Sequence, residues 1–400
     1  MSSALALAIV MAMSLQDAVT KAIAQSPELR ALEASVAEAG ANAVLGNAFK
    51  PSASVSTTPG YATGLPTAVL GQTPAIATVE AHRLLYDPTA RVEQIASASE
   101  VDAAAARLES RKREIALSVA ELYARVAADG VMAGSAEKRV AAYATIASRT
   151  DALRKEGRLR DLDVDRAELQ VASAKRAALQ ARSRLDLDQL RLNRMVGESV
   201  SVTGDASLSL SMTEDPELKA LDARIAEMQR ALGVQQHMFQ PTVATQVQYM
   251  RLFDRYRRHY LNFKPDDLAI GATITLPIWT GGQRAATAAR VKAQLVQLTA
   301  QRDARKTERE LALREAQNDL AQAAAEQDVA NRARAVAEKS LRIADQLAAE
   351  GRGEANDVAL AQIAVADADD EVANARAHRA AAAARLSILG GNQPLATYNP

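Results

Sequence analysis

The sequence predicts an α+β membrane protein made of a duplicated unit, each copy holding a β-hairpin and long coiled-coil helices. Three observations carry this. About half the chain repeats in the other half, two pairs of segments alternate like membrane strands, and two long runs contain no helix breaker.

The duplication is read from paired landmarks. Ser26-Pro27-Glu28-Leu29-Arg30-Ala31-Leu32-Glu33 returns as Asp215-Pro216-Glu217-Leu218-Lys219-Ala220-Leu221-Asp222. Phe49-Lys50-Pro51 returns as Phe239-Gln240-Pro241, Glu156-Gly157-Arg158 as Glu350-Gly351-Arg352, and Asp163-Val164 as Asp357-Val358. The expected repeats are residues 14–200 and 201–400. A repeat this long is a domain-sized unit, not a solenoid module.

In each repeat a short helix opens at a capped proline. Pro27 sits well in a first helical turn, with Ser26 as cap and Glu28 near the positive end of the dipole. Strands are expected over about 51–61 and 75–86, and again over about 241–253 and 268–279. Val55 and Val79 lie on apolar faces, with Ser54, Glu80 and His82 opposite. Plain alternation places Leu85 on the apolar face and Tyr86 on the polar one. The fourth strand is the strongest case, because Leu268, Ile270, Ala272, Ile274, Leu276 and Ile278 form one uninterrupted apolar face. Its length and one-sided character suit a transmembrane barrel strand, although a soluble hairpin on a core would alternate in the same way. Seven of the thirteen aromatic residues fall between Phe239 and Trp279. Tyr249, Phe253, Tyr256, Tyr260 and Trp279 therefore read as a membrane-interface belt.

Long helices are expected over about 88–157 and 282–351, with return helices over about 162–197 and 357–390. At 1.5 Å per residue each long helix spans roughly 100 Å, so it must pack side by side with others. Ile115, Val119, Leu122 and Val126 step by coiled-coil intervals, as do Val291, Leu295 and Leu298. Gly130 and Gly134 are weak points where the first long helix could bend.

Composition agrees with long, closely packed helices: hydrophobic residues reach 48% but aromatics only 3%. Lys+Arg and Asp+Glu are equal at 48 each, which leaves no basic surplus for nucleic acid. With no cysteine, disulfides, thiolate metal sites and cysteine nucleophiles are excluded. Residues 1–13 read as a candidate signal peptide: the apolar run Ala4–Ala12 is too short to span a membrane, but it suits a signal core. The basic flank is missing, so a cytosolic apolar helix is the competing reading. His82, His237, His259 and His378 have no metal-ligand spacing. Asp161, Asp163 and Asp165 lack the glycine and terminal Glu of a calcium loop. Gly281-Gly282 is not followed by the residues of a phosphate loop. No cofactor, metal site or catalytic set is expected, and the chain does not read as an enzyme.

The order helix, hairpin, long helix, tight turn and return helix, taken twice, resembles the TolC-like outer membrane efflux family over essentially the whole chain. The matching residues are Ser-Pro-Glu-Leu-x-Ala-Leu at 26–32, Phe-x-Pro at 49–51, Leu276-Pro277-Ile278-Trp279-Thr280-Gly281-Gly282, and Gly-x5-Asp-Val at 157–164 and 351–358. The resemblance implies a homotrimer whose subunits share a 12-stranded outer-membrane β-barrel, continued by a periplasmic α-helical barrel. It implies a passive exit duct that docks with a periplasmic adaptor (membrane fusion) protein and an inner-membrane efflux pump. By position, the periplasmic tip and adaptor contact would be Gly157, Arg158, Asp163, Val164, Gly351, Arg352, Asp357 and Val358, with Asp357 also at the entrance constriction. The second acidic position of that constriction, three residues on, is Leu360 here. The rival readings are a soluble or periplasmic coiled-coil structural or adaptor protein, which an apolar face in lipid would exclude, and a porin-like uptake channel, which has no use for such helices. The exported compound is not written in these residues.

Overall fold

A computed structural model describes residues 12–58, 75–202, 215–236, 241–252, 264–276, 282–353 and 355–390. Its elements are β1 (Ala12–Met13), α1 (Leu15–Gln25), α2 (Pro27–Leu45), β2 (Ser52–Thr58), β3 (Ala75–Tyr86), α3 (Pro88–Lys155), α4 (Asp161–Val196), β4 (Ser201–Val202), α5 (Pro216–Gln236), β5 (Thr242–Leu252), β6 (Asp266–Thr275), α6 (Gln283–Ala349) and α7 (Ala355–Gly390). The chain divides into two compact units. One takes in residues 1–31, 108–215 and 306–400, and the other 32–107 and 216–305.

The first unit is helical. Ser14 opens α1 by accepting the Asp17 amide at 3.2 Å, and Ser26 opens α2 by accepting the Leu29 amide at 3.3 Å. These two helices are separate because Pro27 cannot donate to the preceding turn and sits at a first helical position instead. Leu15, Val19, Leu29, Leu192 and Val196 are buried, as is Tyr123 of α3. The Tyr123 hydroxyl donates to the Met13 carbonyl at 2.8 Å and so satisfies a group that burial would otherwise orphan. Beside it β1 and β4 form a parallel two-stranded ladder, Ala12 to Ser201 and Met13 to Val202.

The coiled-coil residues of α3 face inward: Val119 and Val126 are fully enclosed, and Ile115 and Leu122 nearly so. α3 runs unbroken through Gly130 and Gly134. Neighbouring turns rich in alanine hold the helix across both glycines, each of which costs only about 1 kcal/mol. Alanine fills most of the helical core, including Ala116, Ala142, Ala316, Ala359 and Ala366. Small side chains let helix axes approach closely, which is why so few aromatics suffice.

The second unit contains a four-stranded antiparallel sheet in the order β2-β3-β5-β6, with α5 and parts of α2, α3 and α6. β6 begins two residues before the apolar run, because Asp266 and Asp267 continue the ladder opposite Arg251 and Met250. Among the described residues, no helix is long and apolar enough to cross a membrane.

Candidate functional site

The sheet has two chemically distinct faces, and the strand register defines them. In an antiparallel ladder directly opposed residues share a face. One row reads Ala53, Ala81, Val247, Ile270, and the next Val55, Val79, Tyr249, Leu268. The alternate rows read Ser52, His82, Gln246, Gly271 and Ser54, Glu80, Gln248, Ala269. The polar rows are knitted across strands: Ser52 Oγ lies 2.9 Å from a His82 ring nitrogen, and Gln246 donates to Glu80 at 3.0 Å. Among the described residues the apolar rows are largely uncovered, with Val55 and Ile270 each 74% exposed and Ile274 70%.

Of the expected interface aromatics, Tyr249 sits on the apolar face and donates its hydroxyl to Asp266 at 2.7 Å. Asp266 also meets Arg251 at 2.7 Å. Phe253, Tyr256, Tyr260 and Trp279 lie outside the described residues. Tyr86 departs from simple alternation. A register shift between Leu84 and Tyr86 brings Tyr86 opposite Val243, so it joins the apolar face at the other end of the sheet. One extra residue in a strand reverses the face of everything beyond it, and no period-two pattern announces where that will occur. Arg83, just before the irregularity, also stands on the apolar face. A long cationic side chain near a strand end can carry its head out of an apolar layer.

The turns that end the long helices form the second candidate surface. Gly157, in the left-handed region at φ 73°, donates to the Arg154 carbonyl at 2.8 Å, and Arg158 donates to Leu153 at 2.9 Å. Gly351, at φ 69°, repeats both bonds, to Ala348 at 3.1 Å and, through Arg352, to Leu347 at 2.9 Å. This pair of bonds is the Schellman closure, and it needs a residue at positive φ, hence glycine. Asp163 then starts α4 by accepting the Arg160 amide at 3.2 Å. Arg158 pairs with Glu156 at 3.7 Å and Arg352 with Glu350 at 3.5 Å, all four exposed. Asp151 is the anchor of the first turn: Lys155 at 2.7 Å and Arg154 at 3.0 Å hold its carboxyl below the usual range. Val164 and Val358 are half-buried on their helices, whereas Asp357 and Leu360 face outward. The expected tip residues thus lie at or just beyond two turns that share the same closing pair of hydrogen bonds.

Sequence reasoning missed the ion pairs between helices. Glu28 meets Arg111 at 2.5 Å, and Glu217 meets Arg305 at 3.0 Å. The repeat itself held that signal, since each Glu and each Arg recurs in register. A second group had no such signal. Arg139 of α3 reaches Asp370 at 2.7 Å and Asp367 at 2.9 Å, while Arg334 of α6 reaches Asp369 at 2.8 Å. Burial works against the Arg139 charge, but the hydrogen bonds and charges of Asp370 and Asp367 outweigh it and raise its pKa. Of the histidines in the described residues, His82 is bonded as above and His378 lies 3.7 Å from Glu326. No cluster able to hold a metal ion occurs among the described residues.

Residues 208–392 match the family model described as outer membrane efflux protein. Over 94% of this chain and 96% of the other, the structure is similar to VceC from Vibrio cholerae, with 19% identity and a TM-score of 0.70. The fold is that of an outer membrane efflux channel. The CmeC outer membrane channel of Campylobacter jejuni is similar over 94% of this chain and 85% of its own, with 13% identity and a TM-score of 0.71. The MtrE outer membrane channel of Neisseria gonorrhoeae, solved in an open state, is similar over 94% and 89%, with 16% identity and a TM-score of 0.70. No curated protein matches the sequence. The residues matched by the efflux-protein model lie within the second repeat.

Proposed function

We propose that this protein is an outer membrane efflux channel: a passive duct whose strands sit in the outer membrane and whose helices extend into the periplasm. The observation that carries the reading is the two-faced sheet. Among the described residues, its outer strands, β2 and β6, each have one side without a partner strand. Open strand edges and uncovered apolar rows are incompatible with one another in lipid unless further strands close the sheet. Three copies of a four-stranded sheet close a barrel of twelve strands, with the apolar rows outward and the Ser, Gln, Glu and His rows toward the lumen.

The helices also leave apolar side chains for a partner. On α6, Val329, Val336, Ile343 and Leu347 are exposed at coiled-coil intervals, and on α4 Leu162, Leu169, Leu179 and Leu190 are likewise exposed. A second copy of this chain is the occupant that fits, because the sheet edges call for the same partner. The turns around Gly157 and Gly351 would then meet a periplasmic adaptor through Arg158, Asp163, Val164, Arg352, Asp357 and Val358. An inner-membrane pump would supply the energy. Asp357 would line the entrance, with Leu360 replacing a second carboxylate.

The test separates inner and outer membranes and measures the detergent-corrected mass of the solubilised protein. A particle about three times the 42.5 kDa chain, found in the outer membrane, is expected. Reconstituted into planar bilayers it should give discrete conductance steps. A soluble monomer without conductance would overturn the reading and return the chain to a coiled-coil scaffold.

A further inference from the structure

We propose that Arg83 and Tyr86 of β3 form a binding site for the phosphate of an anionic phospholipid, on the lipid-facing side of the sheet near its helix-bearing end. The inference rests on the membrane reading above. Arg83 is exposed and stands on the apolar face. Its own row holds Thr245 and Ala272, the row on one side Val247 and Ile270, and the row on the other Val243 and Ile274. None of these can neutralise a guanidinium, and no acid of the described residues pairs with it. The Glu80 carboxylate lies on the opposite face, where it accepts from Gln246. Thr245 turns its hydroxyl to the Arg83 carbonyl, to which it donates at 3.3 Å. β3 is an inner strand, flanked by β2 and β5, so the strand of a second copy would lie beyond β2, about 10 Å from Arg83. The guanidinium therefore faces the surrounding medium, which in the membrane reading is lipid.

β2 and β5 begin at the end of the sheet where β3 and β6 finish, and the chain passes to its helices there. In the membrane reading that end meets the periplasmic leaflet. Along β5 the Arg83 row lies two residues from the Tyr86 row, about 7 Å. The cost of a charge at a lipid-facing position falls steeply from the bilayer centre toward its edge, and a long stem lets the guanidinium reach the headgroups. The acceptor it meets at that level is phosphate, which a guanidinium grips through two parallel N–H bonds. The register shift that brings Tyr86 opposite Val243 puts its half-exposed ring on the same face, so its hydroxyl is a second donor at headgroup level. The duplication supplies an internal control. The offset that relates Leu85-Tyr86-Asp87 to Ile278-Trp279-Thr280 carries Arg83 to Leu276. A strand of this kind takes leucine at that place, so the arginine is an addition made by the first repeat.

The experiment uses the full-length protein purified in a non-ionic detergent, with native mass spectrometry to count the lipids held after titration with phosphatidylglycerol or with phosphatidylcholine. The wild type should hold about one phosphatidylglycerol per copy of the chain, and hold it more tightly than phosphatidylcholine. Arg83→Leu reproduces the second repeat and should keep the particle mass while losing this lipid. Arg83→Lys keeps the charge without the planar fork and should hold the lipid more weakly. Tyr86→Phe removes only the hydroxyl and should weaken retention about tenfold. Equal phosphatidylglycerol counts for the wild type and Arg83→Leu would overturn the proposal, leaving an arginine that only reaches water. Equal retention of the two lipids, or displacement of phosphatidylglycerol by inorganic phosphate, would overturn it as well, because the site would then not select an anionic lipid. The two readings fail separately. Absence of a three-copy particle from the outer membrane removes the channel, whereas an intact particle with unchanged lipid counts in Arg83→Leu removes only this site.

Discussion

Gly157 and Gly351 isolate a single physical term. A Cβ added at either would meet nothing within 4 Å, so only the left-handed backbone resists a side chain. Gly157→Ala and Gly351→Ala should each cost about 1 kcal/mol, read from the midpoint of chemical denaturation. Gly353 differs. A Cβ there would lie 2.9 Å from the Ala348 nitrogen and 3.0 Å from Leu347, so Gly353→Ala should cost more than either and disturb the second turn alone. The equivalent residue of the first turn is Leu159. The two turns therefore share a closure but not a shape, which a partner touching both would sense. The paired Glu28–Arg111 and Glu217–Arg305 contacts are exposed enough to be worth little in stability, at most about 1 kcal/mol. Their recurrence argues for a role in fixing where the short helix after each proline meets the long one.

At the level of the element, the sheet turns a sequence pattern into a surface with a measurable asymmetry. Ile270→Arg places a charge in an apolar row, and Gln248→Arg places the same charge in a polar row one residue further along β5's ladder. The first should cost about 2–4 kcal/mol if the row lies at membrane depth, and reduce the amount of protein recovered in the outer membrane. The second should leave assembly intact and change only the conductance. Equal tolerance of both would mean that neither face meets lipid. The helices make a parallel case. Leu, Val and Ile spaced for a coiled coil divide into those buried within the protomer, such as Val119 and Val126, and those left outside, such as Val329 and Val336. Val336→Asp should weaken association between copies without unfolding the chain, visible as a lower mass at unchanged helical content.

For the whole molecule, the equal count of acidic and basic residues means that assembly cannot rest on bulk charge attraction. Shape, apolar stripes and local pairs must carry it. If the turns dock a partner, the double variant Arg158→Glu, Arg352→Glu should abolish export in cells while the purified particle keeps its mass, because both side chains are exposed and each pairs with a glutamate on its own turn. The duplication, the strands with one apolar face and the long helices were legible in the sequence alone. Each is written in spacings between residues of the same element, which a period of two or of about 3.6 exposes without knowledge of the fold. The face of Tyr86 and the Arg139 and Arg334 ion pairs were not. They depend on a one-residue irregularity or on which helices come together, and such contacts are set by long-range packing that leaves no local period behind. The sequence by itself determined what each element is and that it occurs twice. Only the tertiary structure decided which charged side chains meet, because that follows from distances between helices far apart in the chain.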